Sequence, residues 1–376
     1  MIEKKAIVFI NQHAGYLMVD IINAHLKYEH RYFITGKVAE RNVKLDNNVK
    51  INKIILYNRS STIKRLFTWA IGFIQICWLV KTRYRKADLF IVTNPPFAGL
   101  LPLLCTNRFS LLIYDVYPDA LEDYKFFGKH SMLTALWRKA NKKVFKKAAN
   151  IFTISEGMKK KLNAYAAADT IKVIPLWSHN DFVKPVNRAG NLFLKQHSLH
   201  DKFLVMYSGN MGRTHHLEVI IEMARKIKDE AIDFIIIGDG EKRQLLQSLI
   251  EKSKLTNCKI LPWQNIDMLP HTLSAADVGI VSIGKEASML SVPSKTYDLL
   301  SAGTPLLCIA DASSELAALV NKYHAGEIFD PHQTDQMTDF IYRVKSDRNY
   351  RSLLHHNALN ASKDFEPVNA FKFAIP

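Results

Sequence analysis

The chain has 376 residues, 48% of them apolar, which excludes a disordered or collagen-like protein and predicts two domains, each able to bury its own core. Its four cysteines form no C-x-x-C pair, so neither a zinc cluster nor a disulfide framework is legible, and a reducing compartment is the simpler reading. The formal net charge of +16 is uneven: Met1 to Asn180 holds 29 basic and 12 acidic residues, or +17, and Asp181 to Pro376 holds 22 and 23, or −1.

Lys4 and Lys5 precede a short apolar strand, Ala6 to Ile10, without the longer apolar core and cleavage site of a secretory signal, so a cytosolic chain is expected. Tyr16 to His30 then carries apolar residues at helical spacing. Leu66 to Val80 is a run of 15 uncharged residues between Lys64–Arg65 and the basic positions Lys81, Arg83, Arg85 and Lys86. A spanning helix needs about 20 apolar residues, so this run reads as a buried or interfacial helix. Leu89 to Val92, Ser110 to Tyr114, Asn150 to Ile154 and Ile171 to Ile174 are short, β-branched and apolar on both faces, as strands of a covered parallel sheet should be. Ser131 to Ala149 is the helix between two of them. A proline-rich linker follows Ile174, and the pattern restarts with strands at Phe203 to Tyr207, Asp233 to Ile237, Cys258 to Leu261, Val278 to Val281, Pro305 to Ile309 and Gly326 to Phe329. The alternation predicts an α/β chain of two Rossmann-like halves, with ligands at the carboxyl ends of the strands and in the cleft between the halves.

Three segments of the second half carry candidate chemistry. YSGNMGRTHHLE (Tyr207 to Glu218) ends a strand in Gly209, Asn210, Gly212 and Arg213 and leads to a helix. Glycines let backbone N–H groups approach a phosphate, the helix N-terminus favours an anion, and the arginine fork binds phosphate oxygens; an ordinary turn also takes Gly and Asn. IIIGDGEKRQLL (Ile235 to Leu246) matches part of a dinucleotide fingerprint but has Arg243 at the third glycine position. SVPSKTYDLLSAGTPLL (Ser291 to Leu307) enters a helix at Pro293 and Ser294 and leaves it at Gly303. Lys295 in its first turn opposes the helix dipole, as does Asp298 further along, which suggests a cation for a diphosphate and a carboxylate for sugar or ribose hydroxyls; a solvated face is the alternative.

Together with Pro262 to Gln264, AADVGIVSI (Ala275 to Ile283), IYDVYPDAL (Ile113 to Leu121) and VIPLW (Val173 to Trp177), these segments resemble glycosyltransferase family 4 of the GT-B fold, in the branch that builds bacterial cell-surface polysaccharides. The resemblance implies retaining transfer from a nucleotide diphosphate sugar, UDP-linked for preference, held by residues 181–355. Residues 1–180 would bind the acceptor, and 356–376 would return toward them. Arg213 and Lys295 would neutralise the leaving diphosphate, so no metal and no cofactor are expected. Asp298 would bind the ribose, Trp263 and Gln264 would lie beside the base, and Val292 and Pro293 near the donor phosphates.

This sequence departs from the family pattern in places. The first Glu of the family's pair falls at Leu290, Asp298 replaces the second, and the lysine usual after the glycine turn aligns with His215. Glu286 would take over the sugar contact if the loop is reshaped. In the first half, Gly15 would leave room for the donor phosphate, and Asp115 stands where many relatives place a His against the donor sugar. Asp119 is the nearest other carboxylate, either a sugar contact or a helix cap. Asn94-Pro95-Pro96 would shape the acceptor mouth.

Arg138, Lys139, Lys142, Lys143, Lys146 and Lys147 share one predicted helix, and Lys159 to Lys161 add a further cluster. Beside the aromatic run from Leu66 to Val80 they suggest an anionic membrane surface, hence a lipid-linked acceptor and a peripheral position at the inner face of the cell membrane. A basic half also suits nucleic acid, but no nucleic-acid motif is present, so none is expected as a partner. A dehydrogenase is disfavoured by the incomplete glycine motif, and a nucleotide-sugar 2-epimerase of the same fold is the nearest enzymatic rival.

Overall fold

The computed structural model describes residues 5–58, 60–123 and 131–374, apart from the side chains of Asp123 and Glu286. They form two compact units, Met1–Pro175 with Val368–Pro376, and Leu176–Pro367.

The first unit contains β1 (Ala6–Ile10), β2 (His13–Ala14), β3 (His30–Thr35), β4 (Lys37–Val38), β5 (Val49–Lys53), β6 (Asp88–Val92), β7 (Phe109–Ile113), β8 (Asn150–Thr153) and β9 (Ile171–Val173). Seven make one parallel sheet in the order β5-β3-β1-β6-β7-β8-β9, and β2 pairs with β4 beside it. Ile7 to Ile10 are fully buried, because helices cover both faces of this strand. Two sheet strands are missing from the sequence reading. His30–Thr35 hides behind Arg31, whose buried guanidinium donates to the Ile22 carbonyl and pairs with Asp46. Val49–Lys53 is an edge strand with two lysines. The helix expected to reach His30 ends at Ala24, and His30 begins β3.

The apolar run forms a helix longer than expected, Thr62–Arg83, capped by the Ser61 hydroxyl. At 22 residues it is long and apolar enough to cross a membrane, so length no longer argues against a span. Its packing decides. Trp69 stacks on Tyr57 at 5.6 Å, Gly72 lies against the Gln12 side chain, and the Ile55 N–H donates to the Gln75 side chain at 2.8 Å. One face of the helix is thereby docked on the first unit.

The second unit contains β10 (Phe203–Ser208), β11 (Ile232–Ile237), β12 (Cys258–Leu261), β13 (Val278–Ser282), β14 (Leu306–Ile309) and β15 (Gly326–Phe329), all parallel, in the order β12-β11-β10-β13-β14-β15. Alternate residues of β10 serve opposite cores: Val205 and Tyr207 pack with Phe234, Ile236 and Ile280, whereas Leu204 and Met206 pack with Phe193 and Leu194. Each such buried side chain contributes roughly 1.5–3 kcal/mol. Strand order reverses between β10 and β13, as it does between β1 and β6 in the first unit, and such reversals open a crevice at the carboxyl ends of the strands.

Candidate functional site

At the carboxyl end of β10 the chain turns through Gly209 to Arg213. Gly209 has φ 155°, in the region that favours glycine, and a Cβ there would overlap the Lys295 ammonium. Lys295 opens the short helix Lys295–Ser301, and its Nζ lies 3.5 Å from the centre of the buried Tyr207 ring. That nitrogen is buried and has no hydrogen-bond partner among the described residues. Burial pushes its pKa down to about 7. A desolvated ammonium with no counter-ion among the described residues, beside a glycine turn, is prepared for an incoming anion.

The second glycine motif has a different task from the one its spelling suggests. Gly238 packs on the Gly209 carbonyl and Gly240 on the Met211 backbone, both with positive φ. The Met211 N–H donates to the Asp239 carbonyl at 2.8 Å, and Lys242 donates to the His215 carbonyl at 2.6 Å while pairing with Glu218. Gly-Asp-Gly is thus the floor under the 209–213 turn. His215 holds the Ser282 carbonyl through Nδ1 at 2.7 Å; burial lowers its pKa, and the charges of Lys295 and Lys242 add to the effect. A Cβ on Gly284 would strike the Thr214 carbonyl, so the loop after β13 closes on the same turn.

The other candidates of this unit are placed as follows. Trp263 is 55% exposed, with its ring edge beside Gly238, and Gln264 is folded back on the Pro262 carbonyl. Val292 and Pro293 are half-buried just before Lys295, and Leu290 is half-buried in the preceding turn. Glu286 belongs to the helix Lys285–Ser288, but its side chain lies outside the described residues. Asn210 is exposed, its amide beside Gly212. Arg213 points into solvent, 88% exposed, with the Glu241 carboxylate 3.6 Å away. Asp298 is buried and accepts a 2.7 Å hydrogen bond from Ser178. The expected helix N-terminus is not at the turn: the helix is Glu218–Lys226, so no helix dipole adjoins the turn, and the N–H groups of Gly209 and Met211 are already given to the Ile237 and Asp239 carbonyls.

In the first unit, Gly15 is exposed and a Cβ on it would meet nothing within 4 Å, so the fold itself does not demand glycine there. Asp115 follows β7 and is half-buried; burial raises its carboxyl pKa, and the Tyr117 hydroxyl, 3.4 Å away, opposes the rise. Asp119 is committed elsewhere. Arg138 donates to Oδ1 at 2.7 and 2.9 Å and the Tyr165 hydroxyl to Oδ2 at 2.6 Å. Arg138 also pairs with Glu122, which removes it from the exposed basic face that the sequence suggested.

Residues 191–361 match the family model of the glycosyl transferases group 1. Over 278 residues the chain is 30% identical to WcaI of Escherichia coli K12, a protein named for colanic acid biosynthesis glycosyl transfer, and the match covers 70% of this chain and 67% of that one. The chain belongs to the group 1 glycosyltransferases. It is also 26% identical to WbjE of Pseudomonas aeruginosa, named as a glycosyltransferase, over 63% of that protein's length. The fold matches the sucrose-phosphate synthase of Thermosynechococcus elongatus (TM-score 0.74, 14% identity, 98% and 97% of the two chains). It likewise matches HepE of Anabaena, solved with UDP-glucose (TM-score 0.71, 14% identity, 98% and 97% of the two chains). The fold is therefore GT-B.

For this group 1 glycosyltransferase, sequence reasoning passed over two residues of note. Tyr207 carries Lys295 on its ring face and donates its hydroxyl to the Asn210 carbonyl at 2.6 Å, yet it looks like any strand aromatic in sequence. His13 lies at the strand-order reversal of the first unit, where its carbonyl accepts from the Asn94 amide at 3.2 Å. Its signal was the polar Asn-Gln-His directly after the first strand.

Proposed function

We propose that the chain is a retaining, metal-independent enzyme of glycosyltransferase family 4, moving a sugar from a UDP-linked donor to a saccharide or lipid-linked acceptor in cell-surface polysaccharide synthesis. The buried Lys295 ammonium on the Gly209 turn, with no hydrogen-bond partner among the described residues, carries this reading. A diphosphate seated there receives the charge of Lys295, and Arg213 folds in from solvent to complete the clamp. This places two cations where the leaving group gathers negative charge, which is the service a metal would otherwise supply. The anomeric carbon–oxygen bond to the diphosphate breaks, the acceptor oxygen bonds to that carbon, and the acceptor proton passes to the departing phosphate oxygen. The UDP-glucose complex of HepE supports the choice of donor, and the name of WcaI, given for colanic acid biosynthesis, supports the polysaccharide setting.

Around this centre the exposed Trp263 offers its face to the base, with Gln264 at its edge. Asp298 takes the ribose hydroxyls while keeping Ser178 on one oxygen. In the first unit, Asp115 is the candidate for a sugar contact and Gly15 the candidate for a phosphate approach. The first unit receives the acceptor, and its basic character holds the enzyme at the inner face of the membrane.

A thermal-shift series with UDP-, GDP-, ADP- and dTDP-sugars tests the donor reading. A ligand at 100 times its dissociation constant adds about 2.7 kcal/mol of stability, so one nucleotide series raises the midpoint clearly. Lys295→Ala and Arg213→Ala stay folded and lose that rise. If no nucleotide sugar shifts the wild type, the donor assignment is wrong.

A further inference from the structure

The helix Thr62–Arg83 has two apolar faces, and the fold uses only one. Trp69, Gly72, Ile76 and Leu79 follow one another at helical spacing and are buried. Ile63, Phe67, Ile74 and Trp78 form a second stripe at the same kind of spacing, 80%, 59%, 65% and 56% exposed. A helix that serves only to cover a sheet has no physical reason to keep a second stripe of this size bare.

The bare stripe continues onto two neighbouring segments. Phe73 contacts Phe97 of the 3-10 helix Pro96–Leu103 at 6.2 Å between ring centres, and Phe97 stacks on Trp137 of the helix Met132–Lys147 at 5.2 Å. These half-buried rings join the three segments into one surface. Beyond them, Leu103, Leu104, Met132, Leu133 and Leu136 are all exposed, from 46% to 78%. Exposed apolar area continuous over three elements exceeds the scattered single residues of an ordinary surface.

Charge selects the occupant. Lys64 and Lys81 flank the helix stripe, and Lys139, Lys142, Lys143 and Lys146 follow Leu136 along its helix, all exposed. A symmetric pairing of two copies through this face would set these lysines against each other, whereas an anionic bilayer offers hydrocarbon to the ridge and headgroups to the lysines. We infer that the first unit seats itself by inserting this three-segment ridge into the boundary of an anionic bilayer, with Thr62–Arg83 lying in the plane of the membrane rather than across it. The inference rests on the reading of a membrane-borne acceptor and deepens it: attachment is apolar insertion, with charge as the guide, and not charge alone.

Vesicle flotation of the full chain tests it, using phosphatidylcholine vesicles with and without phosphatidylglycerol, at low and high salt. Binding to the anionic vesicles is expected to persist at high salt, and brominated acyl chains should quench fluorescence in the wild type more than in Trp78→Phe. Phe67→Asp with Ile74→Asp, and separately Leu133→Asp with Leu136→Asp, should each lower vesicle partitioning at least tenfold. Every one of these positions is exposed, so the variants keep their fold and their thermal response to donor. Complete release of the wild type by salt, with the Asp variants binding as well as it does, overturns insertion while leaving electrostatic docking intact. Failure to bind any vesicle, with the donor response preserved, overturns both the ridge and the membrane acceptor but not the transferase. A concentration-dependent dimer in sedimentation that the Asp variants abolish names a second copy as the occupant and overturns the lipid assignment.

Discussion

The Nζ of Lys295 stands 3.5 Å from the centre of the Tyr207 ring, in the space that any side chain on Gly209 would have to enter. The negative face of the ring is the only stabilisation the ammonium receives from an identified partner among the described residues, and a desolvated cation–π contact is worth about 2 kcal/mol. That is less than a diphosphate would supply, so the arrangement favours occupation.

Gly209→Ala should therefore act on binding more than on folding. The Cβ meets the ammonium and the residue sits at a strained positive φ, which costs about 1–2 kcal/mol of stability. Displacement of Lys295 is expected to weaken donor binding by more than about tenfold, or 1.4 kcal/mol. Calorimetric titration with UDP checks this beside circular dichroism, which should be unchanged.

Lys295 also gives the empty protein a pH signature. Its folded pKa of about 7 lies below the ordinary 10.5, so between those values the unfolded chain holds a proton that the folded chain lacks, and stability from this group rises with pH across that window. Lys295→Met should flatten that slope. Diphosphate binding near pH 8 should take up a proton as the ammonium re-forms, seen as a difference in binding heat between two buffers of unlike ionisation enthalpy. Equal heats would mean that Lys295 does not meet the donor.

Arg213→Ala isolates the outer cation. Because the side chain is 88% exposed, the change should leave stability within about 0.5 kcal/mol of the wild type. Donor affinity should fall nonetheless, and UDP should bind with a shallower dependence on salt. An unaltered affinity would leave the guanidinium outside the clamp.

Asp119→Asn separates support from chemistry. It weakens a carboxylate held by Arg138 and Tyr165, so a stability loss of about 1–3 kcal/mol is expected in a denaturant titration. The KM for donor should not move. A large rise in KM with little loss of stability would instead make Asp119 a sugar contact.

His25 sets the acid limit of the first unit. Its ring lies among Phe9 and Phe90 with Nδ1 2.7 Å from the Ile21 carbonyl, and burial pushes its pKa from 6.5 to about 4. The unfolded chain gains a proton as pH falls through 6.5 while the folded chain does so only near 4. Stability should therefore drop by roughly 3 kcal/mol across that interval. His25→Phe should remove most of this pH dependence, read from urea midpoints at pH 7 and pH 5.

The strands that were legible in sequence are those whose two faces are both covered, such as Ala6–Ile10 and Ile232–Ile237, because unbroken apolar runs have few alternatives. His30–Thr35 escaped because Arg31 finds its partners in Ile22 and Asp46, and no local pattern announces a buried guanidinium with distant acceptors. The same holds at the site. Lys295 was legible because it offends the helix it begins, and Gly209 because β10 runs into it. Gly238 and Gly240 were misleading, since a turn that supports another turn is spelled like one that cradles a phosphate.

By itself, the sequence determined the α/β alternation and the lysine and glycine that meet at the candidate site, which follow from local periodicity or from a residue out of place in its own element, and the division of charge between the halves, which follows from composition; the resemblance of its motifs pointed to a GT-B glycosyltransferase. Only the tertiary structure decided that Asp298 is shared with Ser178, 120 positions away, and that Asp119 and Arg138 belong to each other. It also decided which of two equally apolar faces of Thr62–Arg83 is buried and which is bare, because hydrophobicity along a helix records how much surface avoids water but not which neighbour will cover it.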